Sequence, residues 1–157
     1  MKRFLLIFSI VCLSSVSVVF AEYTADEVLT FFDNYVKSAN SFDKDLFAKY
    51  YSGSPEIYRV VEKKDGSVES VKIPFDIYKK EAAKNRKFGK LARYKNSYSD
   101  LKVSRSGEDF KLDATRNPSP GGSFSAYFII GPDSDGNLKI KTESMNTPRD
   151  EFLKHKN

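Results

Sequence analysis

Four β-rich segments separated by short turns fill the C-terminal part of the chain, and this spacing constrains the fold more than any other feature. Each segment is rich in β-branched and aromatic residues, so we predict four strands. They are expected over residues 96–105, 108–116, 123–130 and 138–145. The turns between them are too short for parallel crossovers, which need about a dozen residues or more. The strands should therefore pair in order as an antiparallel meander.

Helical patterns precede these strands. Thr24 and Glu27 fit a capping box, and apolar residues then recur on one helical face to about Asn40. A short second helix is expected near Asp43, ending at the Ser-Gly-Ser-Pro stretch before Glu56. A hairpin over 56–73 and a third helix over 75–88, ended by a glycine, should follow. Helices grouped before an antiparallel sheet predict an α+β fold, not a doubly wound one.

The second helix also carries a resemblance to a known family. The segment 40–51 reads Asn-Ser-Phe-Asp-Lys-Asp-Leu-Phe-Ala-Lys-Tyr-Tyr. Together with the element order over residues 24–146, it resembles the nuclear transport factor 2-like (NTF2-like, SnoaL-like) superfamily. The resemblance implies three helices packed in a strongly curved antiparallel or mixed sheet of about six strands, the cystatin-like cone. Members often have a cavity at the open end and often dimerise. They include isomerases, dehydratases and secretion-system components, so the fold does not settle function.

The N-terminus is typical of a secretory leader. Three residues, Met1-Lys2-Arg3, form a charged start, and a mostly apolar run of 17 residues ends before Ala21. We predict a cleaved signal peptide over 1–21, an NTF2-like domain over 22–148 and a polar tail over 149–157. Retention of the leader as an anchor is the alternative. The protein is expected to be exported, to the periplasm or the medium, with no transmembrane segment after cleavage. Cys12, the only cysteine, would leave with the leader.

A ligand cavity is expected at one end of the cone. Alternate residues of a strand share a face, and strict alternation collects small, hydroxylated and basic residues at the end where the third strand begins. With two tyrosines from the third helix and the loop after it, the cavity candidates are Ser97, Ser99, Arg116, Phe124, Thr142, Ser144, Tyr78 and Tyr94. Small side chains leave space beside them, and because protein interiors are closely packed, helix side chains, water or a ligand must fill that space. The alternative is that these strands fray into solvent at that end.

Catalysis has few candidate groups in this sequence. The only histidine, His155, lies in the predicted tail and is expected to be exposed, so a histidine base and a histidine metal site are not expected in the domain. The same alternation places Asp113 and Glu143 on the outer face. We therefore expect no cofactor, no metal and no enzymatic activity. A cofactor-free isomerase or lyase that uses an Asp–Tyr pair inside the cone is the alternative.

The third predicted helix and the loop after it are strongly basic. Eight positive residues and one acid lie between Lys79 and Lys95. The predicted patch contains Lys79, Lys80, Lys84, Arg86, Lys87, Lys90 and Arg93. Such a surface favours anionic lipid head groups, cell-wall polymer or an acidic protein, whereas nucleic acid is not expected for an exported chain. The alternative is an ordinary solvated helix face.

The outer face of the sheet is expected to carry a small aromatic patch. We predict that Tyr98, Tyr127 and Ile129 form it, and the resemblance implies a homodimer through this face. Taken together, the sequence predicts an exported, non-catalytic binding module. Its partner would be a small molecule in the cavity or a protein of the cell envelope. In the second case the basic helix could form the contact surface.

Overall fold

The structure, a computed structural model, describes residues 22–119 and 121–156, so the predicted signal peptide lies outside the described residues. All predicted helices and strands are present, and the C-terminus adds a fourth helix. The elements are α1 Ala25–Asn40, α2 Leu46–Tyr50, β1 Tyr51–Glu62, β2 Val68–Ile73, α3 Phe75–Leu91, β3 Asn96–Ser106, β4 Asp109–Pro118, β5 Phe124–Pro132, β6 Leu138–Asn146 and α4 Arg149–Leu153.

The six strands form one mixed sheet in the order β2-β1-β6-β5-β4-β3. The last four strands pair antiparallel in sequence order, as predicted from their short turns. β1 pairs antiparallel with β2 and parallel with β6, so the first and last strands of the chain are neighbours in the sheet. The α+β fold class is therefore confirmed.

Helix α1 lies on the inner face of this sheet and supplies much of the core. Its capping box forms as predicted: Thr24 N donates to Glu27 Oε2 at 2.8 Å, and Glu27 N donates to Thr24 Oγ1 at 3.3 Å. The buried side of the helix presents Phe32 to the sheet, where its ring lies 4.8 Å from the ring of Phe128. Burial of such aromatic side chains is the main stabilising contribution of this layer.

A bulge in β3 reverses the predicted inner and outer faces at the start of that strand. The pairing with β4 shifts between Ser99 and Lys102, and Asp100 there adopts a positive φ of 54°. One extra residue moves every side chain on one side of it to the opposite face. Tyr98 therefore packs in the core against Phe32, which corrects its predicted place on the dimer face. Ser97 and Ser99 are exposed, which corrects their predicted place in the cavity.

A second bulge has the same effect in β6. Ile129 pairs with Thr142 while Ile130 pairs with Ile140, so one residue of β6 is unmatched. Beyond it, Glu143 lies opposite the core residue Phe128 and points inward, and the prediction that Glu143 faces outward is wrong. Thr142 and Ser144 consequently lie on the outer face, so their assignment to the cavity is also wrong.

Two helix boundaries differ from the prediction. α3 does not end at Gly89 but continues to Leu91. The glycine is not a helix stop here, because it allows close packing. A Cβ on Gly89 would collide with the ring of Phe42. The Ser-Gly-Ser-Pro stretch expected to end α2 is instead part of β1, which already begins at Tyr51.

The C-terminal segment, predicted as a polar tail, packs on the domain. Residues Arg149–Leu153 form α4, and the side chain of Phe152 is 1% exposed. Beyond it, the His155 side chain is 12% exposed, so the prediction that it is solvent-exposed is wrong. Within residues 22–119 and 121–156, no helix has both the length and the apolar character required to span a bilayer.

Candidate ligand-binding cleft

A cleft opens between the ends of α1 and α2 and the length of α3, at the end of the sheet where β3 begins. It has a volume of about 560 Å³, and a smaller pocket of about 150 Å³ lies next to it on the side of the sheet. The two volumes share lining residues, and we call the larger one the outer cleft and the smaller one the deep pocket. The shared wall includes Asn40, Leu46, Phe47, Arg59, Tyr78 and Asn96.

A buried charged network forms the floor of the cleft. Glu143 has no exposed surface, and its Oε1 atom accepts hydrogen bonds from Arg59 Nη1 at 3.0 Å and from the Tyr78 hydroxyl at 2.9 Å. The Tyr51 hydroxyl donates to the other carboxylate oxygen, and the Tyr35 hydroxyl lies 3.0 Å from that of Tyr51. β1, β6, α1 and α3 are thereby tied together at one buried carboxylate. A buried charge requires such pairing, because its desolvation is otherwise costly.

The same surroundings determine the protonation states of the arginine and the tyrosines in this network. Burial, followed by the nearby Glu143 carboxylate, raises the pKa of Tyr51 and of Tyr78 above the usual value for a phenol. Burial alone would lower the pKa of Arg59, but Tyr78 and Glu143 outweigh it and raise that pKa. The guanidinium therefore stays charged and the phenols stay protonated, so both tyrosines act as hydrogen-bond donors.

Arg116 brings a second guanidinium to the deep pocket, and it has no acidic partner. Its Nε atom is buried without a hydrogen-bond partner, and its Nη2 atom reaches only the Asn146 carbonyl oxygen at 3.5 Å. The guanidinium lies 5.4 Å from the centre of the Phe124 ring. No ion pair between described residues includes Arg116. Since Arg59 and Glu143 neutralise each other, the deep pocket carries one uncompensated positive charge.

Polar contacts hold the outer cleft in shape. Asn40 Nδ2 donates to the Asn96 carbonyl oxygen at 2.8 Å, and Asn96 N donates to Asn40 Oδ1 at 2.8 Å, so α1 is fixed to the start of β3. The Tyr94 hydroxyl adds a 3.2 Å hydrogen bond to Asn96 Oδ1. At the rim, His155 Nδ1 lies 3.7 Å from Glu81 Oε1. The C-terminal segment thus contributes to one wall of the cleft.

The architecture matches solved structures from distant proteins. An NTF2-like protein from Cytophaga hutchinsonii superposes with a TM-score of 0.58 at 9% identity, covering 80% of this chain and 99% of that one. A protein of unknown function with a cystatin-like fold from Nostoc punctiforme has a TM-score of 0.58 at 9% identity, covering 82% and 96%. The CaMKII hub of S. rosetta has a TM-score of 0.53 at 14% identity, covering 78% and 95%. The chain has the NTF2-like fold.

This NTF2-like assignment confirms the sequence resemblance at the level of the fold. No family model matches the sequence, and no curated protein matches it either. Identities this low carry no residue roles from one protein to another, so the properties of the cleft have to be argued from its own side chains.

The predicted cavity residues are now divided between several places in the NTF2-like cone. Tyr78 and Tyr94 line the cleft, Arg116 lines its deep pocket, and Phe124 contacts Arg116. The basic residues of α3 lie on its outside except Arg86, which lines the cleft. Tyr127 and Ile129 lie on the outer face of the sheet, and their part in a dimer stays a prediction. The described residues contain no cluster of His, Cys, Asp and Glu side chains that could hold a metal ion.

Sequence reasoning missed the centre of the network. Arg59 and Tyr51 lie on β1, whose inner and outer faces were not assigned from the sequence. Glu143 was assigned to the wrong face of β6. One signal in β6 indicates the bulge: Ile140 and Met145, both apolar and buried, are five residues apart, an odd spacing that unbroken alternation cannot place on one face. No comparable signal marks β1, where charged side chains occur at Glu56, Arg59 and Glu62 and nothing in the sequence distinguishes the buried one.

Proposed function

We propose that the protein is an exported, non-catalytic binding protein that holds a small organic anion in the cleft. The observation that carries this proposal is Arg116, a guanidinium in the deep pocket without an acidic partner. A buried donor that lacks a partner is costly, and a bound carboxylate would supply the partner. Arginine is suited to this role, because its planar fork matches the two oxygens of a carboxylate.

The walls of the cleft favour an anion with an apolar body. Phe47 and Tyr78 meet edge to face with ring centres 5.6 Å apart, and Leu46 lies beside them on the same wall. A ligand whose charged end contacts Arg116 would place its remaining atoms against these side chains. A few placed polar groups within a largely apolar concavity are typical of small-molecule sites.

A cofactor-free isomerase or lyase is the second candidate, because Glu143 and Tyr78 do point into the cone. Their arrangement favours binding over this chemistry. Arg59, Tyr51 and Tyr78 all donate to the Glu143 carboxylate, which has no exposed surface for a substrate proton. Tyr78, with its raised pKa, stays protonated and is a poor base.

The experiment compares probes that differ only in charge. Aryl- and alkyl-carboxylates of increasing length, beginning with 4-phenylbutyrate, are titrated calorimetrically against the corresponding neutral alcohols. We expect each acid to bind more tightly than its alcohol by about tenfold or more, as a charge-assisted hydrogen bond provides. Arg116→Met should abolish this preference, and Arg149→Met, which removes an exposed arginine from α4, should preserve it. Equal binding of acid and alcohol by the unmodified protein would refute the proposal.

We also propose that two copies of the chain pair through the outer face of the sheet. A shallow concavity there is lined by Tyr58, Val60 and Tyr127, so the patch extends beyond the residues identified from the sequence. Ile129 lies on the same face. Ile129→Lys should convert a dimer to a monomer in sedimentation equilibrium, and a monomeric unmodified protein would exclude this pairing.

A further inference from the structure

Helix α3 exposes large apolar side chains to solvent. Phe88 is 71% exposed and Leu91 is 74% exposed, and both lie in its last two turns. Ile77, 39% exposed, lies on the same side near the start of the helix. Helical spacings of 7, 4 and 3 along the series 77, 84, 88 and 91 place these positions along one stripe. The inward side of α3 is already packed through Tyr78, so the exposed stripe contributes nothing to the core.

Several exposed lysines share this part of α3 with the apolar stripe. Lys84, Lys87 and Lys90 are exposed, and none of them is in an ion pair with another described residue. Lys80 lies on the same side and reaches only Asp76, at 3.8 Å across exposed surface. The helix therefore presents free ammonium groups next to solvent-exposed Phe and Leu side chains.

The combination indicates what covers the surface. Lysines alone would suit any polyanion, but a hydrophilic acidic polymer would leave the Phe88 and Leu91 side chains in water. An anionic bilayer satisfies both groups: its head groups attract the lysines, and its acyl boundary accepts the apolar side chains. Single exposed apolar residues are ordinary, whereas two neighbouring ones on a helix that also carries exposed, unpaired lysines are the pattern of an interfacial helix.

We propose that α3 docks the protein on an anionic membrane surface, with Phe88 and Leu91 inserted at the level of the head groups. The orientation has a consequence for the cleft, because Phe88, Gly89 and Ala92 also line its outer part. The mouth of the cleft would then lie beside the bilayer. This inference concerns a different surface from the ligand site and holds whether or not Arg116 binds an anion.

A tryptophan reporter tests insertion directly, because the chain contains no tryptophan. The purified chain starting at Glu22, which contains every described element, carries Leu91→Trp and is mixed with vesicles of phosphatidylglycerol and phosphatidylcholine. We expect blue-shifted emission and quenching by brominated acyl chains, with no response to pure phosphatidylcholine. Val68→Trp is the matched control, since Val68 is 67% exposed but lies on β2. Its emission should not change.

Charge reversal tests the lysines in the same vesicles. Lys84→Glu, Lys87→Glu and Lys90→Glu together should weaken partitioning on the order of 100-fold. The control reverses three exposed lysines away from α3, at positions 44, 64 and 102, with the same change in net charge. That variant should retain most of the binding. High salt should weaken the binding of the unmodified protein to these vesicles, because it screens the lysine charges.

Three results would overturn the proposal. Vesicle binding without quenching of the Leu91→Trp reporter would mean electrostatic adsorption without insertion. Equally tight binding to soluble polyglutamate would identify an acidic polymer or protein as the occupant. A blue shift that depends on protein concentration without vesicles would mean that a second copy of the chain covers this face.

Discussion

Arg59 and Glu143 form a buried ion pair across the parallel pairing of β1 and β6, with Nη1 3.0 Å from Oε1. Their side chains are 9% and 0% exposed. Parallel pairing joins the hairpin β1–β2 to the C-terminal meander, so this ion pair lies where the two parts of the sheet meet. Tyr51 and Tyr78 satisfy further acceptor positions of the carboxylate. The ion pair therefore connects the pairing of β1 with β6 to the floor of the cleft.

Removing both partners of this pair should destabilise the protein much less than the two single removals added together. Glu143→Met leaves the Arg59 guanidinium buried without compensation, and we expect a loss of about 3–5 kcal/mol in the free energy of unfolding. Arg59→Met combined with Glu143→Met should lose much less than the sum of the single variants. Urea unfolding of all four proteins measures this coupling. Additive effects would show that the pair does not act as a unit.

The element order was predictable because its signals are local. The capping box of Thr24 and Glu27, the glycine turns and the short spacing between strands each act within a few residues, and together they allowed few topologies. The same locality explains which strands could be assigned to faces. β4 and β5 alternate without interruption from Phe110 to Ile130, apart from their turn, so Arg116 and Phe124 lie on the inner face as strict alternation predicted.

The site was less predictable, because bulges and long-range packing determine it. The bulge at Asp100 and the unmatched residue of β6 each reverse the inner and outer faces of their strand. Tyr98 and Glu143 therefore lie on the inner face, where Ser97 and Ser144 were predicted. A glycine at position 89 is typical of a helix end, but here it makes room for the ring of Phe42, which is distant in sequence. Information of this kind appears only when the elements are assembled.

High pH should unfold the protein through its buried tyrosines. Burial, followed by the Glu143 carboxylate, raises the pKa values of Tyr35, Tyr51, Tyr78 and Tyr98 in the folded state. In the unfolded chain they ionise near pH 10, so the folded state retains protons that the unfolded state loses. Stability should be intact below about pH 10 and fall above it, by at most about 1.4 kcal/mol per pH unit for each tyrosine.

Urea unfolding between pH 8 and 11, with phenolate absorbance followed in parallel, checks this expectation. Tyr78→Phe removes one of the four groups and should make the alkaline decline shallower. Phenolate absorbance that develops fully before unfolding would contradict it, because the buried phenols would then ionise in the folded state.

Gly89 offers a test of close packing inside α3. Ala in place of Gly usually stabilises a helix interior by about 1 kcal/mol. Here the new Cβ would collide with the Phe42 ring, so we expect Gly89→Ala to destabilise by about 1–3 kcal/mol. In a Phe42→Ala background the collision is absent, and the same substitution should become neutral or stabilising. If its effect is the same in both backgrounds, as measured by chemical denaturation, the contact does not explain the glycine.

The C-terminal helix should contribute to the stability of the whole domain through a single side chain. Phe152 is 1% exposed, whereas its neighbour Leu153 is 41% exposed on the same short helix. Phe152→Ala should therefore cost about 3–5 kcal/mol, while Leu153→Ala should change stability by at most about 0.5 kcal/mol. Both substitutions raise helix propensity, and Phe152→Ala raises it more, so a larger loss of stability at Phe152 reports burial. Guanidinium unfolding measures both, and a Phe152→Ala variant as stable as Leu153→Ala would mean that α4 does not pack on the domain in solution.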